Sequence, residues 1–195
     1  MLAIKKSIPL FLVGLLSGYV SVLLTQNTET ENIFMLMLIP GFIFGLVIGF
    51  YFYVSKRVKF FPNGLFFSLI SFCSYLTGFV AFALMTLFLL ALFGKTADDS
   101  FDLFNQLLIF FIPGMVQTYI LCKGIHNYLT PLTAKQFQIF VIVGGLLAFF
   151  ASSLNNGEDG TDIVHMYEIF IITWQGAMAG LLGWILTTKK KKNHK

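Results

Sequence analysis

The sequence predicts an all-α, polytopic transmembrane helix bundle of about six spans, with both termini on the cytoplasmic side. Three observations lead to this prediction. The 195-residue chain is 57% hydrophobic and only 11% charged, whereas soluble domains carry about 25% charged residues. Apolar runs of membrane-spanning length recur along the whole chain. Acidic and basic residues sort to opposite ends of those runs.

Six apolar runs are predicted as spans, because about 20 apolar residues cross the hydrocarbon core as a helix. The first run follows two lysines, as a signal peptide would, but no small-residue cleavage site comes after it, so we expect a retained span. The third run is longer than the core requires and should tilt or project. The chain 1–195 is thus predicted as one transmembrane domain with spans at about 7–25, 33–54, 65–93, 103–122, 137–154 and 167–188.

The charges predict the orientation, since cytoplasmic loops are enriched in Lys and Arg. All 9 acidic residues fall on one side of the predicted spans, and every one of the 13 basic residues except Lys95 falls on the other. Six spans with both termini in the cytoplasm account for this sorting, whereas four spans would put acidic and basic loops together. A composition rich in Lys and in Phe, with 24 Phe, is typical of an AT-rich bacterial gene, so the predicted location is the bacterial inner membrane.

The basic side predicts contact with anionic lipid headgroups, which attract Lys and Arg near the membrane surface. The C-terminal lysines are interpreted mainly in this way, with an acidic cytosolic protein as the alternative partner. Direct nucleic-acid binding is not expected from so short a tail. No metal or cofactor is expected either, because the two cysteines have neither metal-binding nor redox spacing.

Glycine stripes predict close helix packing. In lipid, helices associate where small residues let their backbones approach. These stripes are interpreted as contacts within one bundle or, alternatively, between copies in a homo-oligomer. The stripe residues are Gly41, Gly45 and Gly49 in the second span, Gly114 in the fourth, and Gly176, Gly180 and Gly183 in the sixth.

Polar residues inside the spans are few, and no ionisable residue lies at a predicted span centre. This argues against the hypothesis of proton-coupled transport, because such transport needs buried Asp, Glu or His. No catalytic motif predicts an enzyme. Gln117 and Gln175 are candidates for a hydrogen bond between the fourth and sixth spans or for a polar pore lining. His165 and Glu168 are a candidate outer sensor of a cation or of pH, with two solvated interface residues as the alternative.

The longest inner segment, KGIHNYLTPLTAKQ at residues 123–136, mixes apolar and basic residues. It predicts either a docking loop for a cytosolic protein or an interfacial loop resting on lipid. The candidate docking residues, including the start of the basic tail, are Lys123, His126, Tyr128, Lys135, Lys189 and Lys190.

In length, hydropathy and Lys- and Phe-rich composition, the chain resembles the small membrane subunits of bacterial antiphage defence systems, such as the membrane component of the Kiwa system. That resemblance implies an oligomeric inner-membrane sensor that works with a cytosolic effector. The predicted function is therefore a non-enzymatic membrane subunit that recruits or regulates a cytosolic partner. The alternative is a homo-oligomeric channel or small-solute transporter, in which polar side chains would line the pore.

Overall fold

The computed structural model describes residues 2–25, 33–93, 107–153 and 162–192, with side chains over 7–25, 39–59, 61–92, 107–150 and 171–186. The predicted all-α fold is confirmed. The second and third predicted spans match their helices at both ends, and the described parts of the others extend beyond the prediction. The helices are α1 Leu2–Thr25, α2 Ile33–Val54, α3 Leu65–Phe93, α4 Ile112–Gly124, α5 Ala134–Ser153 and α6 Asp162–Lys192.

A wider helical turn lies on each side of α4, at Leu107–Phe111 and Ile125–Leu129. The predicted inner loop at 123–136 is therefore wrong, because helical backbone continues through Leu129. The helix stops where Thr130 is extended, at φ −162° and ψ 131°, since a following proline, here Pro131, disfavours the helical region. Only residues 130–133 connect this turn to α5.

The helices form a bundle in which α2 to α5 pack mainly on their neighbours in sequence, whereas α1 and α6 pack mainly on each other and close the ring. The contact between α1 and α6 is the most extensive. Large apolar side chains from every one of these helices meet in the interior, where they fill the described core. Its largest buried members are Leu10, Phe44, Phe52, Phe67, Leu121, Phe140 and Trp174.

The outside of the bundle suits a membrane. Three described segments are long and apolar enough to cross one, namely Ser7–Thr25, Phe61–Leu92 and Leu107–Leu129. Three shorter apolar helices, Ile39–Val54, Ala134–Phe150 and Ile171–Leu186, pack beside them. In an apolar 18-residue window of the Phe61–Leu92 segment, only 11% of the residues are buried within the chain, so much of the apolar surface of this segment faces outward. The chain is accordingly a membrane-associated helical protein.

Glycines of α1 let α6 approach at backbone distance. A Cβ atom added at Gly14 would lie 2.5 Å from the carbonyl oxygen of Gln175, and one added at Gly18 would lie 2.5 Å from Cα of Ile172. Real Cβ atoms do not approach backbone atoms so closely, so only glycine permits this helix spacing. The extent of the α1–α6 contact follows from that close approach.

The predicted stripe on α6 faces the same contact from the other side. An added Cβ at Gly176 would meet a Leu15 methyl at 2.5 Å, whereas one at Gly180 would meet the Phe11 ring at 3.1 Å. A Cβ added at Gly183 would lie 2.9 Å from Cα of Ser7. This stripe is therefore occupied by α1 of the same chain.

The remaining predicted glycines also pack within the chain. A Cβ added at Gly45 would lie 2.5 Å from Cα of Ser68 on α3. A Cβ added at Gly114 would lie 2.6 Å from Cβ of Ala148 on α5. Gly144 of α5 lies directly against the Thr118 hydroxyl of α4. On α2, Gly41 and Gly49 lie against α3 and the residue that precedes it. The seven predicted glycines thus contact helices of their own chain, so the oligomer alternative draws no support from them.

Candidate docking surface at the basic end of the bundle

Two loops lie side by side at one end of the bundle. The turn at Phe60–Gly64, before α3, contacts the turn at Ile125–Leu129, after α4. The Phe66 and Tyr128 rings join them, with centroids 5.6 Å apart. This contact places the loop between α2 and α3, which was not among the predicted docking residues, beside the predicted ones.

The end of α2 is fixed by a Schellman motif, in which a left-handed residue lets two backbone N–H groups cap the last carbonyls. Lys56 takes the left-handed conformation, with φ 53°. Its N–H donates to the Tyr53 carbonyl at 2.8 Å, and the Arg57 N–H donates to the Phe52 carbonyl at 2.9 Å. The Arg57 guanidinium then lies over the Phe52 ring, 5.9 Å from its centroid. The exposed cations of this loop are Lys56, Arg57 and Lys59.

The connection between α4 and α5 is also held by specific hydrogen bonds. The Leu132 N–H donates to Nδ1 of His126 at 2.9 Å, which closes the turn around Pro131. Thr133 and Gln136 form a reciprocal capping box at the start of α5. The Thr133 N–H donates to Oε1 of Gln136 at 3.0 Å, and the Gln136 N–H donates to the Thr133 hydroxyl at 3.3 Å. Predicted docking residue His126 is thus exposed but also shapes the turn.

Lys123 lies across the seam between α4 and α5. Its ammonium group is 5.6 Å from the Tyr119 ring centroid and 5.9 Å from that of Phe137. The two rings are themselves in edge-to-face contact at 5.2 Å. Cation–π attraction of this kind orients an exposed lysine without neutralising its charge. Lys135, the second residue of α5, is exposed as well.

No acidic residue occurs in residues 32–97 or 103–157, so neither loop carries a countercharge of its own. Five exposed cations, Lys56, Arg57, Lys59, Lys123 and Lys135, therefore give this end of the bundle a positive field. Such a field attracts and orients anionic partners. The predicted residues Lys189 and Lys190 belong to α6, but their side chains lie outside the described side chains.

The two predicted intramembrane glutamines do not bond to each other. Gln175 is fully buried, and its Nε2 donates to the Pro40 carbonyl of α2 at 3.0 Å and to the Tyr75 hydroxyl of α3 at 3.3 Å. Gln117 instead lies against Gly78 of α3. The prediction that they join the fourth and sixth spans is wrong, since α6 packs on α1 and α4 packs on α3 and α5.

Gln175 instead ties three helices together in the middle of the bundle. The Trp174 ring beside it meets Tyr75 edge-on at 5.4 Å and Phe44 at 6.0 Å. Three buried oxygens in the described interior have no hydrogen-bond partner, namely Oε1 of Gln175 and the hydroxyls of Ser17 and Ser71. The amide nitrogen of Gln175 therefore acts as a helix-joining group in this structure.

The predicted outer sensor residues His165 and Glu168 belong to the first part of α6, and their side chains lie outside the described side chains. Among the described residues, no three His, Cys, Asp or Glu side chains form a group suited to a metal ion. The exposed cations at the basic end of the bundle are therefore the candidate functional residues whose side chains the structure describes.

The sequence analysis did not predict that the loop between α2 and α3 contributes cations to the candidate docking surface. The signal was present in the run KRVKFFP, residues 56–62, where cations alternate with apolar residues. Nothing in the sequence alone indicated that this run lies beside the turn after α4. No protein-family model, no curated protein and no solved structure matches the chain.

Proposed function

We propose that the chain is a non-enzymatic multipass subunit of the bacterial inner membrane that holds a cytosolic protein on its basic end. It would cross the membrane six times, with both termini and the basic loops in the cytoplasm. The partner would carry an acidic surface, because the docking end has exposed cations and no acid in either loop.

The observation that carries this proposal is the ordered turn between α4 and α5. A loop that only connects two spans does not require the His126 hydrogen bond, the capping box and the aromatic contact that fix this one. Fixed loops bind with a smaller loss of conformational freedom than mobile ones. The turn therefore presents Lys123 and Lys135 in a set arrangement, as a recognition surface would.

The resemblance to antiphage membrane subunits supports a cytosolic effector as the partner. The channel alternative receives less support, because the Gln175 amide is engaged in joining helices. Beside it, the Trp174 ring packs on Phe44 and Tyr75 in the described interior.

The proposal is tested by purifying the chain in mild detergent from cells that also express its neighbouring genes, and then measuring the native mass. We expect a cytosolic protein at fixed stoichiometry, lost on charge reversal with Lys123→Glu and Lys135→Glu. Lys95→Glu, on the predicted opposite side, is the matched control and should retain the partner. The proposal would be contradicted if no cytosolic protein purified with the chain, or if the Lys95→Glu control lost the partner to the same extent. The same mass reports any self-association.

A further inference from the structure

The loop between α2 and α3 carries the most exposed large apolar side chain among those described. Phe61 is 74% exposed and lies outside the helices in extended conformation, at φ −103° and ψ 128°. Leaving a Phe side chain in water forgoes the favourable free energy of burying its apolar surface. An aromatic residue so placed in a connecting loop indicates a surface that is covered in the working protein.

The loop around Phe61 has a fixed shape. The Schellman motif at Lys56 sets its start, and Val58 packs against the core. Arg57 is held over the Phe52 ring. The exposed cations and the exposed phenyl group therefore project from a defined frame, and they do so within seven residues of one another, 56–62.

This loop is continuous with the outward apolar surface of two helices. Val54, at the end of α2, is 61% exposed, and Phe66, at the start of α3, is 47% exposed. Phe61 lies between them in sequence, where the outward apolar surface gives way to cations. Aromatic residues next to basic ones are the pattern found at the interface between hydrocarbon and headgroups.

The geometry points to a binding site for anionic phospholipid in the loop between α2 and α3. Phe61 enters the boundary of the acyl chains, and Lys56, Arg57 and Lys59 contact the lipid phosphates. This inference rests on the membrane insertion of the proposed function, but it assigns this loop to lipid and leaves the turn between α4 and α5 to protein. Lipid is favoured over an acidic protein here because Phe61 continues the outward apolar surface of α2 and α3.

The test uses the full chain in nanodiscs that contain phosphatidylcholine mixed with phosphatidylglycerol. Native mass spectrometry gives the ratio of the two lipids retained on the released protein. Each cation near an anionic surface contributes about 1 kcal/mol, a factor of about five. Replacing Lys56, Arg57 and Lys59 by Gln should therefore reduce the preference for phosphatidylglycerol by up to about a hundredfold. The control, Lys123→Gln with Lys135→Gln, should change it little.

A second readout locates Phe61 itself. In a Cys73→Ala background, a fluorescent probe on Phe61→Cys should be quenched by lipids brominated in the acyl chain and protected from aqueous iodide. Iodide quenching alone, or equal lipid preference in the Gln variant and the wild type, would overturn the inference and favour a protein partner on this loop. Failure of the chain to remain in the nanodiscs would instead overturn the membrane insertion of the proposed function.

Discussion

The contact between α1 and α6 gives a sharp prediction, because two glycines in it differ in what lies opposite. Alanine at Gly18 would place its Cβ 2.5 Å from Cα of Ile172, with further backbone atoms at 3.1 Å and 3.2 Å. Backbone atoms cannot rotate away, so the helices would have to separate by about 1 Å to reach ordinary contact. Overpacking of this kind costs typically 1–3 kcal/mol. Gly18→Ala should therefore destabilise the bundle by that cost less the roughly 1 kcal/mol by which alanine favours helix over glycine.

Gly180 provides the matched control in the same contact. There the added Cβ would meet the Phe11 ring at 3.1 Å, and that partly exposed side chain can shift. Alanine also favours helix over glycine by about 1 kcal/mol. Gly180→Ala should accordingly be neutral or slightly stabilising. Reversible unfolding of both variants in mixed micelles, followed by Trp fluorescence, measures the difference. Equal effects of the two substitutions would refute the packing described here.

Three further predictions concern other contacts. Gly144→Ala should destabilise the α4–α5 contact by about 1–3 kcal/mol, because its Cβ would fall on the Thr118 hydroxyl; partial rescue by Thr118→Gly in a double-mutant cycle tests the pairing. Lys56→Gly should stabilise the protein by about 1 kcal/mol, because glycine adopts positive φ without strain; a lower denaturation midpoint would contradict this. In His126→Ala the Leu132 N–H loses its acceptor, Nδ1 of the imidazole. Exchange of that amide hydrogen should then be faster than in the wild type, and an unchanged rate would contradict this contact.

Much of the fold follows from local sequence. Helix α2 was predicted to the residue because its apolar run has polar residues at both ends, and α3 because a Pro-Asn-Gly turn precedes its apolar run. The sequence does not indicate that helical backbone continues through Leu129, because a basic residue such as Lys123 is typical of a cytoplasmic loop. Lys123 is helical in the structure, and its ammonium group lies near the rings of Tyr119 and Phe137. One of those rings belongs to the next helix.

The glycine stripes show the limit of pattern reasoning at the candidate sites. Spacing identified the small-residue faces, because close approach needs small residues wherever the partner helix lies. It did not identify the partner, since α1 and α6 meet across the whole length of the chain. The same limit explains Gln175, whose amide reaches α2 and α3 and not Gln117. Long-range pairing is a property of the ring order of the helices, which local sequence does not encode.

The orientation of the basic end tests the central claim most directly, because a docking surface for a cytosolic protein must face the cytoplasm. Reporter cysteines are introduced by Lys59→Cys and Lys135→Cys in a Cys73→Ala background, in which the remaining Cys122 is buried. Glu31→Cys is the counterpart on the predicted outer side. A membrane-impermeant maleimide is then applied to spheroplasts and to inverted vesicles. We predict that the first two are labelled only in inverted vesicles and the third only in spheroplasts. Labelling of Lys59→Cys or Lys135→Cys in intact spheroplasts would contradict the account.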